Sequence, residues 1–146
     1  MKHRRRHRPN EKSRKGAAAV EFALLLPLLC TIVLGLMEIG RGTMVSTIMY
    51  NAATNGAELA AMPGESTANV TTRINSVLTA NNITAANATI SIKVNGVTAD
   101  ASTAVANDKI TVSVSIPASQ TSLTSFSTTL LRNTTFTGTL TVMRQN

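Results

Sequence analysis

The side chains able to do chemistry are few and badly placed for catalysis. Both histidines, His3 and His7, lie among arginines near the start of the chain, so nothing from Gly16 onward offers a histidine base or metal ligand. That removes Ser-His-Asp and Cys-His relays despite the abundant serines. Cys30 is the single cysteine, which excludes an intramolecular disulfide, and it sits in an apolar run as a small lipid-compatible residue. Beyond that run the carboxylates Glu58, Glu65, Asp100 and Asp108 are sparse. Asp100 and Asp108 flank a polar connection and read as turn residues rather than as a calcium loop. Asn69-Val70-Thr71, Asn82-Ile83-Thr84, Asn87-Ala88-Thr89 and Asn133-Thr134-Thr135 match the glycosylation sequon, as chance produces in a chain this rich in Asn and Thr. There is no glycine-rich phosphate loop. The expectation is a non-catalytic protein with no cofactor and no metal.

The remaining chemistry is ionic and lies in apolar surroundings. From Ala17 to Gly40 the only polar side chains are Glu21, Thr31 and Glu38, and Arg41 closes the run. A carboxylate at a bilayer centre costs about 2.5–3.5 kcal/mol, less near an interface, so Glu21 persists there only with a partner or a task, or by reaching to the interface for water. Glu38 lies three residues before Arg41 on one helix face, spaced for an ion pair at the membrane edge. Pro27 has no amide hydrogen, which deprives the Ala23 carbonyl of its helical partner and predicts a kink. Such a kink suits packing against neighbours, or is one that membrane helices simply tolerate.

The elements that must position these groups follow from charge and periodicity. Eight cations against one acid in residues 1–15 account for the whole net charge of +7, because the remaining six cations and six acids cancel. A disordered basic run against an apolar span fixes topology, with the cations held in the cytoplasm. It is not the basic face, interleaved with aromatics, of a nucleic-acid-binding domain. Residues 17–40 as a helix span about 36 Å, enough for a hydrocarbon core of about 30 Å. No small-x-small cleavage site lies close behind the apolar core, so the segment reads as a retained anchor rather than a signal peptide.

After Arg41 the helical pattern turns amphipathic. Val45, Ile48, Met49, Ala52, Leu59 and Met62 share one stripe, Asn51, Asn55 and Glu58 lie off it, and Pro63-Gly64 stops it. A second helix is predicted over Thr67–Ala80, capped by Ser66 or Thr67, with Val70, Ile74, Val77 and Leu78 on one face and Asn81-Asn82 at its end. Then the period becomes two. Ile90, Ile92 and Val94 precede the turn signal Asn95-Gly96; Ile110, Val112, Val114 and Ile116 run up to Pro117; Phe136, Gly138, Leu140 and Val142 alternate with threonines. These three strands predict a one-sided antiparallel sheet, apolar face inward and hydroxyl face outward. The fold class is α+β: one long N-terminal helix, half in the membrane and half amphipathic, packed on a small sheet. Residues 118–130 read equally as a long connection or a weak helix.

One stretch carries a resemblance. Arg14-Lys15-Gly16-Ala17-Ala18-Ala19-Val20-Glu21-Phe22-Ala23-Leu24-Leu25-Leu26-Pro27 places basic residues, then glycine, then an apolar helix with glutamate at its fifth position. This resembles the processing site of type IV prepilins. With Glu38-Ile39-Gly40-Arg41 following, the run over residues 14–62 looks more narrowly like the TadE-like family, pilin-like (pseudopilin) proteins of tight-adherence (Flp) pilus systems.

The resemblance implies a division into a basic cytoplasmic leader (1–16), a transmembrane helix (17–40) and an exported pilin-like domain (41–146). It implies cleavage between Gly16 and Ala17 by a prepilin peptidase; glycine leaves that bond unobstructed, and the new amine at Ala17, with a pKa near 8, is mostly cationic. It also implies that Glu21 pairs with the amine of a neighbouring subunit. The implied partners are that peptidase, other pilin-like subunits, the inner-membrane assembly platform and membrane lipid, with no nucleic acid. The rival reading is an unprocessed, membrane-anchored exported binding module unrelated to pili.

Overall fold

The computed structural model describes residues 11–121 and 133–145, with side chains from Lys15 onward. The chain divides between Met37 and Glu38 into two units. In the first, helix α1 (Glu11–Ala60) begins inside the segment expected to be a disordered leader. Lys and Arg are good helix formers, so the start of the leader's helical part is not limited to the apolar run. Every described side chain from Lys15 to Met37 is exposed, including Phe22, Leu24 and Ile32. This is one helix long and apolar enough to cross a membrane. Pro27 lies within it. The second unit holds the rest of α1, helix α2 (Thr67–Ala80) and strands β1 (Thr89–Val94), β2 (Val97–Thr98), β3 (Lys109–Pro117) and β4 (Thr135–Met143). Within residues 118–130, a 3-10 turn covers Ala118–Gln120 and Thr121 follows as a turn; the remainder of that open segment lies outside the described residues.

The expected α+β arrangement is what the structure contains. α2 has the predicted bounds. Ser66 caps it by accepting from the Asn69 amide at 3.3 Å, and Asn81 closes it with bonds to Leu78 and Thr79. The sheet has four antiparallel strands in the order β2-β1-β3-β4. The strand beyond the three expected is β2, two residues long and joined to β1 through Asn95-Gly96, both at positive φ (51° and 84°) as a two-residue hairpin turn requires. β3 pairs residue for residue with β4 from Lys109↔Met143 to Pro117↔Thr135.

Alternation is obeyed along β3 and β4. Ile110, Val112, Val114 and Ile116 of β3 are buried, while Thr111 and Ser113 lie on the other face, bonded to Thr141 and Thr139 at 2.9 Å. The core joins these strands to Val45, Ile48, Met49 and Ala52 of α1 and to Val70, Ile74 and Leu78 of α2. The predicted stripe is correct over Val45–Ala52. Leu59 also packs, half-buried, against the core, Met62 is exposed because α1 ends at Ala60, and the stripe takes in small residues as well, Ala53, Gly56, Ala57 and Ala60. A Cβ on Gly138 of β4 would overlap the backbone of Met49 and Tyr50, so helix and strand touch main chain to main chain there.

Candidate functional site

The residues singled out by sequence fall into two groups, each in its own unit. In the first, Gly16 and Ala17 both lie within α1, and a Cβ placed on Gly16 would meet nothing within 4 Å. The bond between them is therefore sterically open but helical. A protease must draw it into an extended form, and glycine, about 1 kcal/mol worse than alanine in a helix, eases that local opening. Glu21 is exposed one turn further on, and no side-chain hydrogen bond to it is found among the described residues. Thr31 donates its hydroxyl to the Pro27 carbonyl at 2.8 Å, so this polar side chain in the span is satisfied within its own helix. Cys30 is exposed on the same helix as a free thiol.

In the second unit, Glu38 is half-buried and Arg41 exposed. The Arg41 Nε donates to the carbonyl of Thr121, a partner eighty positions away that helix spacing does not reveal. Next to it, a Cβ on Gly42 would come within 3.3 Å of the Phe136 ring, so glycine lets β4 seat its aromatic side chain there.

The two aspartates read as turn residues are that. Asp100 accepts from the Ser102 amide at 2.8 Å and from the Thr67 amide at 3.4 Å, while the Thr67 hydroxyl accepts from the Ala101 amide at 2.9 Å. The start of α2 is thus tied to the turn at Ala101–Thr103. Hydrogen bonds from Ser102, side chain then backbone, hold the Asp100 carboxyl below its ordinary range. Asp108 accepts from the Val105 amide at 2.8 Å and from the Asn95 side chain at 2.7 Å, which lower its carboxyl in that order. Among the described residues no three His, Cys, Asp or Glu side chains gather to hold a metal ion.

Sequence reasoning missed Arg144. Its side chain is buried, and its Nη1 donates to the carbonyls of Ala60 at 2.8 Å and Ala101 at 3.3 Å. Ala60 is the last residue of α1, where the orphan carbonyls and the negative end of the helix dipole favour a cation. The Gln145 amide bonds the Ala61 carbonyl beside it at 3.0 Å. An arginine just after a strand carries no local signal for this, because its partners are main-chain atoms of two distant segments.

No curated protein and no solved structure matches the chain. Residues 16–58, which hold Gly16, Glu21, Pro27, Glu38 and Arg41, match the family model of TadE-like proteins.

Proposed function

We propose that the protein is a pilin-like or minor-pilin component of a tight-adherence pilus, a structural subunit and not an enzyme. The observation that carries this reading is where the family match falls: on the segment that joins a glycine after a basic run to a lone glutamate five residues into an apolar helix. In this reading residues 17–40 anchor the chain in the bacterial inner membrane, the leader 1–16 stays in the cytoplasm, and residues 41–146 lie outside. A prepilin peptidase cuts between Gly16 and Ala17, removing the excess positive charge and exposing an amine. Glu21 then pairs with the amine of a neighbouring pilin-like subunit, which sets the register of one subunit on the next and relieves the cost of a carboxylate in lipid. Glu38 and Arg41 form an ion pair at the membrane edge, and Pro27 bends the helix to suit its neighbours.

Mass spectrometry of the membrane-extracted chain tests the processing step. A mature N-terminus at Ala17 is expected, and Gly16 replaced by a bulky residue should leave the leader attached. An intact leader in cells with an active prepilin peptidase overturns the assignment. Glu21→Gln tests assembly: it should insert and be cleaved normally yet lose crosslinking to other pilin-like subunits and lose surface piliation. Normal crosslinking and piliation by a correctly cleaved Glu21→Gln chain would overturn the assembly role given to Glu21.

A further inference from the structure

β4 is the outermost strand on its side of the sheet, and its register fixes which of its main-chain groups are used. The Ala118 amide bonds the Thr134 carbonyl at 2.9 Å, and the Arg144 amide bonds the Asp108 carbonyl at 2.8 Å. The bonded pairs with β3 therefore fall on even-numbered residues at both ends of the strand. In an antiparallel ladder such pairs recur at every second residue. Phe136, Gly138, Leu140 and Val142 thus turn N–H and C=O toward β3. Thr135, Thr137, Thr139, Thr141 and Met143 turn theirs outward, and among the described residues no hydrogen bond to those main-chain groups is found.

The two edges of the sheet are treated differently. On the far side β2 pairs with the end of β1, and the Ala101–Thr103 turn lies against β1 as well. β4 has nine residues without a charge, a proline or a bulge, the devices that keep an edge from pairing. The core also stops short there. Ile110, Val112 and Ile116 of β3 are fully buried, whereas the residues paired with them, Val142, Leu140 and Phe136 of β4, are only half-buried.

We propose that the outer edge of β4 is a docking site for an extended, uncharged segment of a different protein chain, in which apolar residues alternate with serine or threonine. Main-chain donors and acceptors repeating at every second residue are matched by another extended backbone. The apolar side chains of that segment would lie over the half-buried Phe136, Leu140 and Val142. Its hydroxyls would stand beside Thr139 and Thr141, extending the rows in which Thr141 bonds Thr111 and Thr139 bonds Ser113 at 2.9 Å. β4 offers no charge to pair with an ionic side chain. A second copy of this chain fits less well. Its β4 would lie about 4.8 Å away yet carry its own α1 seated on Gly138, and packed helices need about 8–10 Å between axes. A segment with no helix on it has no such conflict. The inference does not rest on the pilus reading, because the edge lies within one unit of one chain.

The test titrates the full chain in detergent micelles into a capped, fluorescein-labelled nonapeptide alternating threonine and valine. Anisotropy should rise saturably, and amide exchange should slow at Thr137, Thr139 and Thr141 but not along Thr89–Val94. The same peptide N-methylated at its edge-facing amides should bind at least about tenfold more weakly, since each methyl deletes a ladder bond. Thr137→Pro removes one outward N–H and no bond to β3, a place where an edge strand tolerates proline. That variant should melt near the parent and bind severalfold more weakly. The N-methylated peptide is measured on the unaltered chain, so it decides the matter even where the variant fails to fold. Equal binding of the N-methylated peptide, protection on β1 instead of β4, or no binding at millimolar peptide overturns the proposal. Protection of the β4 amides that rises with protein concentration in the absence of peptide also overturns it, because the occupant would then be a second copy.

Discussion

The two halves of α1 use one secondary structure in opposite ways. From Ala17 to Met37 the helix displays its largest apolar side chains, with Leu24 74% and Phe22 60% exposed, and none of that stretch is buried in the fold. From Val45 to Ala60 it buries what is apolar, and much of what it buries is small: Ala52, Ala53, Ala57 and Ala60. An exposed run of leucines is costly in water and neutral in lipid, so large residues pointing outward mark the solvent as hydrocarbon. Small residues pointing inward mark a helix that must approach a sheet closely. Side-chain size, more than hydropathy, separates the half that meets lipid from the half that meets protein.

Glycine substitutions probe that contrast most directly, and the largest effect is expected at Gly138. Its missing Cβ is replaced by the Met49–Tyr50 backbone, which cannot swing aside as a side chain can. Gly138→Ala should destabilise the second unit by at least about 3 kcal/mol, the upper end of overpacking costs. In a domain of this size that lowers the melting temperature by about 10 °C or more, measured by circular dichroism of the full chain in micelles. Gly56→Ala should cost less, because the Cβ would meet side-chain atoms, Cδ1 and Cγ1 of Ile74 at 2.7 Å, rather than backbone. Equal melting of Gly138→Ala and the parent would break the claim that this half of α1 lies main chain to main chain on β4.

Next comes Arg144, which fastens the chain after β4 to the far end of α1. Arg144→Met should remove about 1.5–3 kcal/mol, the worth of hydrogen bonds from a charged donor, because it takes that donor from the Ala60 carbonyl and leaves the Ala101 carbonyl with the Ala104 amide alone. Arg144→Lys should recover part of that, and the same melting experiment reads both.

The differing legibility of these features has a physical basis. The elements were readable because each repeats a period: two for Ile110–Ile116, 3.6 for Val70–Leu78, and an unbroken apolar run for the span. The helix caps and the Asn95-Gly96 turn were readable because their chemistry is local. What escaped depends on partners remote in sequence. Gly138 looked like one more inward position of a strand, and nothing near Arg41 or Arg144 in sequence points to the carbonyl of Thr121 or to those of Ala60 and Ala101. The helical Gly16–Ala17 bond escaped too, since basic residues next to an apolar run do not announce where the helix starts.

A smaller effect is expected from acid, and it should touch the second unit alone. Both Asp100 and Asp108 accept bonds that favour the ionised form, so each folded carboxyl titrates below the ordinary 3.8. A depressed folded pKa contributes stability that is complete above the unfolded value and is lost as pH falls through the folded one. The melting temperature of the second unit should therefore be flat near neutrality and fall below pH about 4. The double variant Asp100→Asn, Asp108→Asn should start lower at neutral pH and lose less on acidification. An unchanged acid slope in that variant would show that neither turn gains from its charge.

The smallest effect is expected at Gly35, in the lipid-facing half. A Cβ there would meet nothing within 4 Å, so within the single chain alanine is free to fit. Its intrinsic advantage in a helix, about 1 kcal/mol in water, acts in the stabilising direction. The micelle melting temperature of Gly35→Ala should therefore equal or slightly exceed that of the parent, against the steep loss at Gly138. Within a membrane, however, glycine also lets another helix come close, and a methyl there separates the two. Crosslinking between membrane helices in native membranes distinguishes the cases. If crosslinking is unchanged, this face of the span meets only lipid, and the contrast between the halves of α1 is complete. A loss of crosslinking at unchanged melting would mean that the first half also packs on protein, that of a neighbouring chain.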